Sequence, residues 1–312
     1  MKEILFMEPI FKSVIWGGKR LRTEFDYAIP NEHTGECWAI SAHPNGDCTI
    51  RSGKYKGKTL SWLWENSHKL FGNRKDKSFP LLIKIIDAQD DISIQVHPSD
   101  EYANKNSPGS FGKEECWYIL DCDEHAEIVI GHNAKDKAEL RALIEQEGWK
   151  ELIRSHPIKK GDFFQISPGT VHAIKAGTML LEIQQNSDIT YRLYDYDRLD
   201  KGKPRQLHIE ESIDVINCPH KDVSTHATAI ESSFGVISEL IKDKNYTVHK
   251  IDIYEEMVFN QDKDFMNISI IEGEGEIDGF KISKGDHMII PFEYGKFKLR
   301  GKMSLIMSFI DE

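Results

Sequence analysis

The chain has 312 residues, of which 39% are hydrophobic and 29% are charged, an ordinary composition for a globular protein. This length is enough for two domains or one large one. The net charge of −11 repels nucleic acid and anionic membranes, so neither is an expected partner, and an anionic substrate would need a local basic pocket.

Short β-strands dominate the elements predicted along the first two thirds of the chain. They are apolar or alternating runs, most of them bounded by Gly, Pro, Asp or Asn. The predicted strands are Ala39–Ser41, Cys48–Arg51, Leu81–Ile86, Ile92–Val96, Ile119–Asp121, Ile128–Ile130, Phe163–Ile166 and Met179–Gln184. From Gly235 to the end the sequence is again typical of β-structure. The predicted fold class is therefore mainly β with a few helices.

Three stretches with apolar residues at helical spacing interrupt these strands. They are Thr59–Leu70, Asp136–Arg154 and His208–Ile216. Pro219 ends the last helix, and a polar stretch follows it. We therefore expect a domain boundary near residues 218–230, with a first domain at 1–220 and a C-terminal β domain at 221–312.

The cellular compartment is predicted from what the sequence offers at its start and in its cysteines. Charges and Pro9 stand where the apolar region of a signal peptide would lie, and no apolar run is long enough to span a bilayer. The five cysteines include no Cys-x-x-Cys pair, so free thiols fit better than a disulfide framework. We expect a cytoplasmic protein.

A weak internal repeat links the two predicted domains. Lys160-Gly161-Asp162 and Lys284-Gly285-Asp286 each precede a mostly apolar strand, which ends at Pro168 or Pro291. Each is consistent with a tight turn that leads into a strand. Such turns are common in β proteins, but the match favours a duplication that gives two related barrels.

The run Asp91–Pro98 carries the first candidate metal ligands. Side chains alternate along a strand, so Ser93, Gln95 and His97 share one face. A half-buried strand with a solvated polar face is the simpler interpretation of this pattern alone. Gln95 and His97 are nevertheless two donors held close together on a rigid element, where a metal site is best preorganised.

Glu115 and His172 supply two further candidate ligands. Glu115 enters an apolar strand, where a lone carboxylate is costly without a cation, unless Glu114 and Glu115 both face water. His172 follows a Pro-Gly turn, and a lone histidine there is more often a hydrogen-bonded core residue. Together with Gln95 and His97 they form a mixed nitrogen and oxygen set that suits zinc.

The segment Glu182–Arg198 is dense in polar groups and aromatics. Arg192 and Arg198 are fixed cations that can bind phosphate or a developing oxyanion. A surface loop with internal Asp–Arg pairs explains this composition equally well.

Seven sequence blocks, in family order over roughly residues 9–217, resemble the type I phosphomannose isomerases. The block Ser-Ile-Gln-Val-His-Pro at Ser93–Pro98 is the most specific of them. The blocks are Trp16–Gly18, Gly35–Trp38, Leu81–Ala88, Ser93–Pro98, Lys113–Glu115, Pro168–Ala173 and Ser187–Arg192. The length resembles the short bacterial form of the family.

The resemblance implies a cupin fold and one zinc ion per chain. With the internal repeat, the expectation is two jelly-roll β-barrels, of which the first carries the metal site and a small helical portion. The ligands implied are Gln95, His97, Glu115 and His172. Aligning Pro168 with Pro291 puts Gly295 opposite His172, so we expect the C-terminal domain to be metal-free.

The resemblance also implies the remaining site residues. Arg192 matches the catalytic arginine of the family. The positions that match residues near the substrate and its phosphate are Ser93, Lys113 and Arg198. The acidic positions that line the same pocket are Glu182 and Asp188. Gly112 stands where some members have a histidine proposed for acid–base chemistry, which argues against a histidine base in this chain.

The reaction implied is the interconversion of mannose 6-phosphate and fructose 6-phosphate through an enediolate. Zinc would polarise the carbonyl, Arg192 would add a fixed positive charge, and a base would move the proton between C1 and C2. Lys113, Glu182 and Asp188 stay open as that base. A monomer or weak homodimer is expected, with a small sugar phosphate as substrate.

Two other classes of cupin compete with this interpretation. An iron-dependent oxygenase prefers two histidines and one carboxylate with open positions, and Gln95 as an extra ligand argues against it. A sugar-binding cupin without turnover would leave Arg192 and Lys113 without a role.

Overall fold

β-strands make up most of the computed structural model, which describes residues 3–106, 110–223 and 227–311. The helices among these residues are short: α1 (Arg20–Phe25), α2 (Leu60–Asn66), α3 (Asp100–Asn106), α4 (Lys137–Glu145), α5 (Trp149–Leu152) and α6 (Ile209–Val215). A 3-10 helix, His68–Phe71, follows α2. No helix in these ranges is both long and apolar enough to cross a membrane. The prediction of a mainly β fold with a few helices is confirmed.

Seventeen strands of the described residues lie before residue 220, in the first part of the chain, and eight lie after it, in the C-terminal part. Those before it are β1 (Leu5–Glu8), β2 (Ile10–Ser13), β3 (Thr34–Ile40), β4 (Ala42–His43), β5 (Gly46–Asp47), β6 (Thr49–Ile50), β7 (Leu81–Ala88), β8 (Ile94–Val96), β9 (Glu115–Cys122), β10 (Glu127–His132), β11 (Ile153–Pro157), β12 (Phe163–Ile166), β13 (His172–Ile174), β14 (Thr178–Gln185), β15 (Tyr191–Tyr194), β16 (Leu199–Asp200) and β17 (Lys203–Pro204). Those after it are β18 (Thr228–Ser232), β19 (Gly235–Lys242), β20 (Thr247–Ile253), β21 (Glu256–Gln261), β22 (Phe265–Ile277), β23 (Phe280–Ser283), β24 (His287–Pro291) and β25 (Gly295–Phe309).

Two sheets of the first part share one hydrophobic core. The six-stranded sheet has the order β12-β9-β14-β7-β3-β2, and the five-stranded sheet has the order β11-β10-β13-β8-β15. Trp117 and Leu180 of the first sheet pack in one buried cluster with Ile128 and Ile174 of the second. Polar side chains that project between these two sheets are therefore shielded from water.

The third large sheet is built mainly from the C-terminal part. Its order is β18-β19-β20-β25-β22-β24-β1-β6, with β21 on β25 and β23 on β22. The N-terminal strand β1 pairs with β24, so Leu5 lies opposite Ile289. The sheet thus takes two strands, β1 and β6, from the first part of the chain, and a division at residue 220 stays a prediction. Every sheet follows an open path among the described residues, so the detail of two barrels also stays a prediction.

The two Lys-Gly-Asp turns have the same backbone conformation and the same hydrogen bonds. Gly161 and Gly285 have φ values of 93° and 91°, which glycine adopts without steric cost. Asp162 accepts from the Lys159 N–H at 2.9 Å, and Asp286 accepts from the Ser283 N–H at 2.8 Å. This likeness supports the duplication that the sequence predicts.

The prediction of one helix at Asp136–Arg154 is wrong. Asp136 begins α4 as predicted, because its carboxylate accepts from the N–H groups of Ala138 and Glu139. Glu147 has φ of 53°, outside the helical region, and the chain then forms the single turn α5 before β11. Pairing of β11 with β10 overrides the local helical preference of residues 153–154.

Helices α1 and α3 were not predicted from the sequence. Each has few buried residues: Leu21 and Phe25 in α1, and Ala103 alone in α3. An apolar stripe at helical spacing is the main sequence signal for a helix, and one or two buried residues do not make a stripe.

A buried hydrogen-bond chain joins the first part of the chain to the C-terminal sheet. The Tyr27 hydroxyl donates to the Gly285 carbonyl at 2.7 Å, so its oxygen accepts from His287 Nε2 at 2.8 Å. His287 Nδ1 is then the acceptor for the Ser269 hydroxyl, also at 2.8 Å. Burial lowers the pKa of His287 to about 4.

We expect this histidine to make the protein less stable in acid. An unfolded histidine titrates near 6.5. The unfolded chain therefore binds the proton first, and the stabilisation, complete above pH 6.5, is lost as the pH falls toward 4. The loss amounts to about 3 kcal/mol, since one pKa unit corresponds to about 1.4 kcal/mol. In denaturant unfolding of the metal-free protein, the free energy of unfolding should fall less steeply with decreasing pH for His287→Gln than for the wild type. Equal pH dependence in the two proteins would contradict the assignment.

Candidate metal centre

Three candidate ligands converge between the two sheets of the first part. His97 follows β8 and His172 begins β13, both in the five-stranded sheet, while Glu115 begins β9 in the six-stranded sheet. Their ligand atoms all lie within 4.8 Å of one another. Each imidazole Nε2 is 3.5 Å from a different oxygen of Glu115. All three side chains are at most 1% exposed. The three side chains are therefore already close together and shielded from bulk water.

Backbone carbonyls fix the tautomer of both histidines. His97 Nδ1 lies 2.8 Å from the Ile189 carbonyl, and His172 Nδ1 lies 2.9 Å from the Thr170 carbonyl. A carbonyl only accepts, so each Nδ1 carries the hydrogen and each Nε2 directs its lone pair at the cluster. Burial lowers the pKa of His97 well below its ordinary value and that of His172 to about 4. Both rings are neutral, as metal ligands must be.

Gln95 stands beside His172 as the fourth candidate ligand. Its backbone is the register partner of His172, and its amide Nε2 is 3.2 Å from His172 Nε2. The Ser93 hydroxyl donates to the amide oxygen at 3.3 Å. An amide side chain can present its oxygen or its nitrogen at the same place. Gln95 is thus positioned to offer an oxygen to an ion held by the other three.

Glu115 is the residue that most calls for a cation. Its Oε1 is buried without any hydrogen-bond donor among the described residues. Burial, and secondarily the charge of Glu182, raises the pKa of Glu115 to about 7. An unpartnered buried carboxylate oxygen is costly unless an ion or a proton neutralises it. The donor set and this unpartnered oxygen together fit a bound divalent metal.

Lys113 lies directly against the cluster. Its ammonium donates to His97 Nε2 at 3.1 Å and to Glu115 Oε2, and it is 3.9 Å from Glu182. The Nε2 lone pair that accepts from Lys113 is the one that a metal would take. Lys113 and a metal therefore compete for the same atom.

A row of cross-strand neighbours extends the site over the six-stranded sheet. Glu182 lies opposite both Trp117 and Lys84 in the strand register. Lys84 donates to Glu182 Oε1 at 3.0 Å, and the Trp117 indole donates to Oε2 at 3.2 Å. Burial alone would raise the pKa of Glu182, but Lys113 and Lys84 outweigh it and lower that pKa to about 2.

Lys84 is the site residue that sequence reasoning missed. It lies in β7, where all eight residues are buried. Burial would lower the pKa of Lys84, yet the hydrogen bond and charge of Glu182 together with the charges of Glu36 and Glu115 outweigh that effect and raise it. The available signal was a lone charge inside an otherwise apolar strand, because such a charge is buried only when paired.

The two predicted arginines, Arg192 and Arg198, have different surroundings. Arg192 is the register partner of Gln95, and its Nε is buried without a hydrogen-bond acceptor in the described ranges. Burial, and next the charge of Arg205, lowers the pKa of Arg192. Arg198 instead donates to the Asp195 carboxylate at 2.7 Å, as in the alternative of internal Asp–Arg pairs. Its predicted substrate contact stays a prediction.

Asp188 is held by a hairpin at the edge of the site. His43 Nδ1 accepts from the Asn45 N–H at 3.1 Å, so the Nε2 hydrogen faces Asp188 Oδ1 at 3.4 Å. The Asn45 amide also donates to Asp188. The hydrogen bond from His43 lowers the pKa of Asp188 to about 2. A carboxylate with so low a pKa is a weak base at neutral pH.

We therefore expect Asp188→Asn to lose less than about tenfold in kcat. An asparagine oxygen can still accept from His43, whereas removing a general base typically costs about 10² to 10⁴. Steady-state turnover of the metal-loaded variant measures the difference. A loss of about 100-fold or more would return Asp188 to the list of candidate bases.

The chain is similar to known proteins over its whole length. Residues 4–145 match the family described as "Phosphomannose isomerase type I, catalytic domain", and residues 237–310 match "Mannose-6-phosphate isomerase, cupin domain". The chain is 49% identical to mannose-6-phosphate isomerase ManA of Bacillus subtilis over 98% of each chain. It is 44% identical to mannose-6-phosphate isomerase of Streptococcus mutans over 100% of each. The crystal structure of the B. subtilis mannose 6-phosphate isomerase superposes with a TM-score of 0.97 at 45% identity, covering 99% of this chain and 100% of that one.

Proposed function

The chain belongs to the type I phosphomannose isomerase family, and from that premise we propose that it is a zinc-dependent enzyme that interconverts mannose 6-phosphate and fructose 6-phosphate. One observation carries the proposal. Two neutral imidazoles and a buried carboxylate face one point, with an amide beside them and unpaired Arg192 on the adjacent strand. That combination would hold a metal and place a fixed positive charge close to it.

Zinc is supported by the donor set. Gln95, His97, Glu115 and His172 would hold the ion through two nitrogens and two oxygens, a mixture that zinc accepts readily. When bound, zinc supplies Lewis acidity that polarises a sugar carbonyl. The Ile189 and Thr170 carbonyls keep the two imidazoles in the tautomer that binding requires.

The chain's own residues divide the remaining work. Aldose–ketose isomerisation moves a proton between C1 and C2 while negative charge develops on the neighbouring oxygens. Arg192 would stabilise that charge through its unpaired guanidinium. Among the three candidate bases, Glu182 is paired with Lys84 and Asp188 with His43. Lys113 is itself paired with Glu115, so it would accept the proton only as a neutral amine, released from that pair when Glu115 binds the metal. Ser93 orients Gln95 beside His172.

The proposal extends to the setting in which the enzyme works. The five cysteines are all free thiols, which agrees with a reducing cytoplasm. A monomer or weak homodimer with a sugar phosphate as its small-molecule substrate completes the proposal.

A coupled assay tests the function directly. The zinc-loaded protein is given mannose 6-phosphate, and fructose 6-phosphate is converted by auxiliary enzymes to a product that reduces NADP. We expect turnover that disappears on chelation and returns with zinc. Binding of the sugar phosphate without turnover would favour a non-catalytic cupin, and oxygen consumption with iron would favour an oxygenase; either result would refute the proposal.

A further inference from the structure

The turn between β19 and β20 inserts the C-terminal part of the chain against β9. Residues 243–246 form this turn, which the Asp243 N–H closes by donating to the Tyr246 carbonyl at 2.9 Å. The Tyr246 ring is fully buried and belongs to the same core cluster as Cys116 of β9. The turn therefore packs one residue away from the ligand Glu115.

Two side chains of this turn control the carboxylate of Glu114. Asn245 Nδ2 donates to Glu114 Oε2. Gln165 Nε2 donates to Glu114 Oε1 at 3.1 Å, and the Tyr246 hydroxyl in turn donates to Gln165 Oε1 at 3.0 Å. Glu114 is only 5% exposed, so these donors replace the water it lost. Both of its oxygens thus depend on the C-terminal turn, one directly and one through Gln165.

Glu114 sits between two residues of the metal centre. Neighbouring side chains of an extended chain point to opposite sides, so Lys113 and Glu115 face His97 while Glu114 faces the turn. The Glu114 N–H donates to Gln185 Oε1 at 2.9 Å, and its carbonyl accepts from the Gln185 N–H at 3.0 Å. The backbone and the side chain of residue 114 are therefore both fixed from outside the site.

We propose that the C-terminal domain positions the active-site segment Lys113–Glu115, with Asn245 and Tyr246 acting on it through Glu114. The domain that offers no ligand opposite His172 thereby takes part in the reaction as a positioning element. This inference rests on the proposed metal centre, because it assigns a role to the spacing of Lys113 and Glu115 around that centre.

The physical reason is the cost of a buried carboxylate that loses a donor. Without Asn245, Glu114 Oε2 loses its donor while Gln165 and Gln185 still hold the residue. A shift of Glu114 that regains a partner would strain these contacts and displace the neighbouring Lys113 and Glu115. Displacements of about 1 Å at reacting groups cost on the order of 100-fold in rate, and loss of outer partners of a metal ligand weakens metal binding about 10- to 100-fold.

The experiment first removes the hydrogen bond between Asn245 and Glu114 and then restores it with donor and acceptor exchanged. Asn245→Asp places two carboxylates against each other, and we expect about tenfold or more weaker zinc binding in a chelator competition, with kcat lowered more than KM is raised. Adding Glu114→Gln to Asn245→Asp restores one donor and one acceptor across the same contact. The double variant should recover most of both losses, which a change in domain adhesion alone would not do.

Glu272→Gln is the matched control. Glu272 pairs with Lys160 and so also links the C-terminal sheet to the first part, but it touches neither Glu114 nor its partners. We expect wild-type zinc affinity and kcat in this control, and melting curves identify any variant that fails to fold. The wild type is measured first, so a failure of the proposed function appears there. If the wild type works and Asn245→Asp matches it within twofold, or the double variant shows no recovery, the inference is overturned.

Discussion

We expect His97→Ala to lose both zinc binding and turnover. The variant keeps Gln95, Glu115 and His172 but removes one of the two neutral imidazoles that face the centre. A catalytic metal contributes several kcal/mol to the stabilisation of the transition state, and each 1.4 kcal/mol is tenfold in rate. The loss in kcat should therefore be on the order of 10³ or more at zinc concentrations that saturate the wild type.

His132→Ala is a matched control for this prediction. His132 is as buried as His97, and its ring nitrogen also faces a backbone carbonyl, that of Asn217 at 2.9 Å. Both substitutions remove a buried imidazole and one hydrogen bond to the backbone. We expect the control to lose stability but to keep stoichiometric zinc and most of its turnover. Full zinc content in His97→Ala, measured by elemental analysis of the dialysed protein, would contradict the assignment of the ligands.

We expect Arg192→Ala to lose on the order of 10² to 10³ in kcat, the usual cost of removing one preorganised donor to a developing negative charge. Arg192 forms no ion pair in the described ranges and its Nε has no acceptor, so its guanidinium is available to the substrate. An interaction that strengthens only in the transition state raises kcat more than it lowers KM. Zinc content and melting temperature should stay close to those of the wild type.

Two further substitutions sharpen the assignment of Arg192. Arg192→Lys should restore part of the loss, since lysine supplies the charge without the planar donor fork. Arg74→Ala serves as a control, because it removes a half-buried arginine that pairs with the nearby Asp76 and with the distant Asp264. This variant should affect stability rather than kcat. A steep rise in KM with unchanged kcat in Arg192→Ala would instead make Arg192 a phosphate anchor.

Local sequence patterns were sufficient for several features of the centre. The alternation in Ser93–His97 predicted that Gln95 and His97 share a face, and both lie at the cluster. The simpler interpretation of a solvated face is wrong for this strand, because Ser93 and His97 are each 1% exposed. Each of the eight apolar runs predicted before residue 220 overlaps a strand, although nine of the seventeen strands described there had no predicted run. The helical stretch predicted from Asp136 begins where α4 does.

The sequence by itself determined which residue types the centre has, because ligand chemistry and strand alternation are properties of a few neighbouring residues. Tertiary structure alone decided how they are partnered. Lys84 meets Glu182 across 98 positions and Asn245 meets Glu114 across 131. Such contacts depend on which strands become neighbours and in what register, and many pairings of apolar strands bury similar area. The packing of the whole core makes that choice. No local sequence pattern therefore predicts that buried Lys84, its partner Glu182 and the distant turn at Asn245 complete the site.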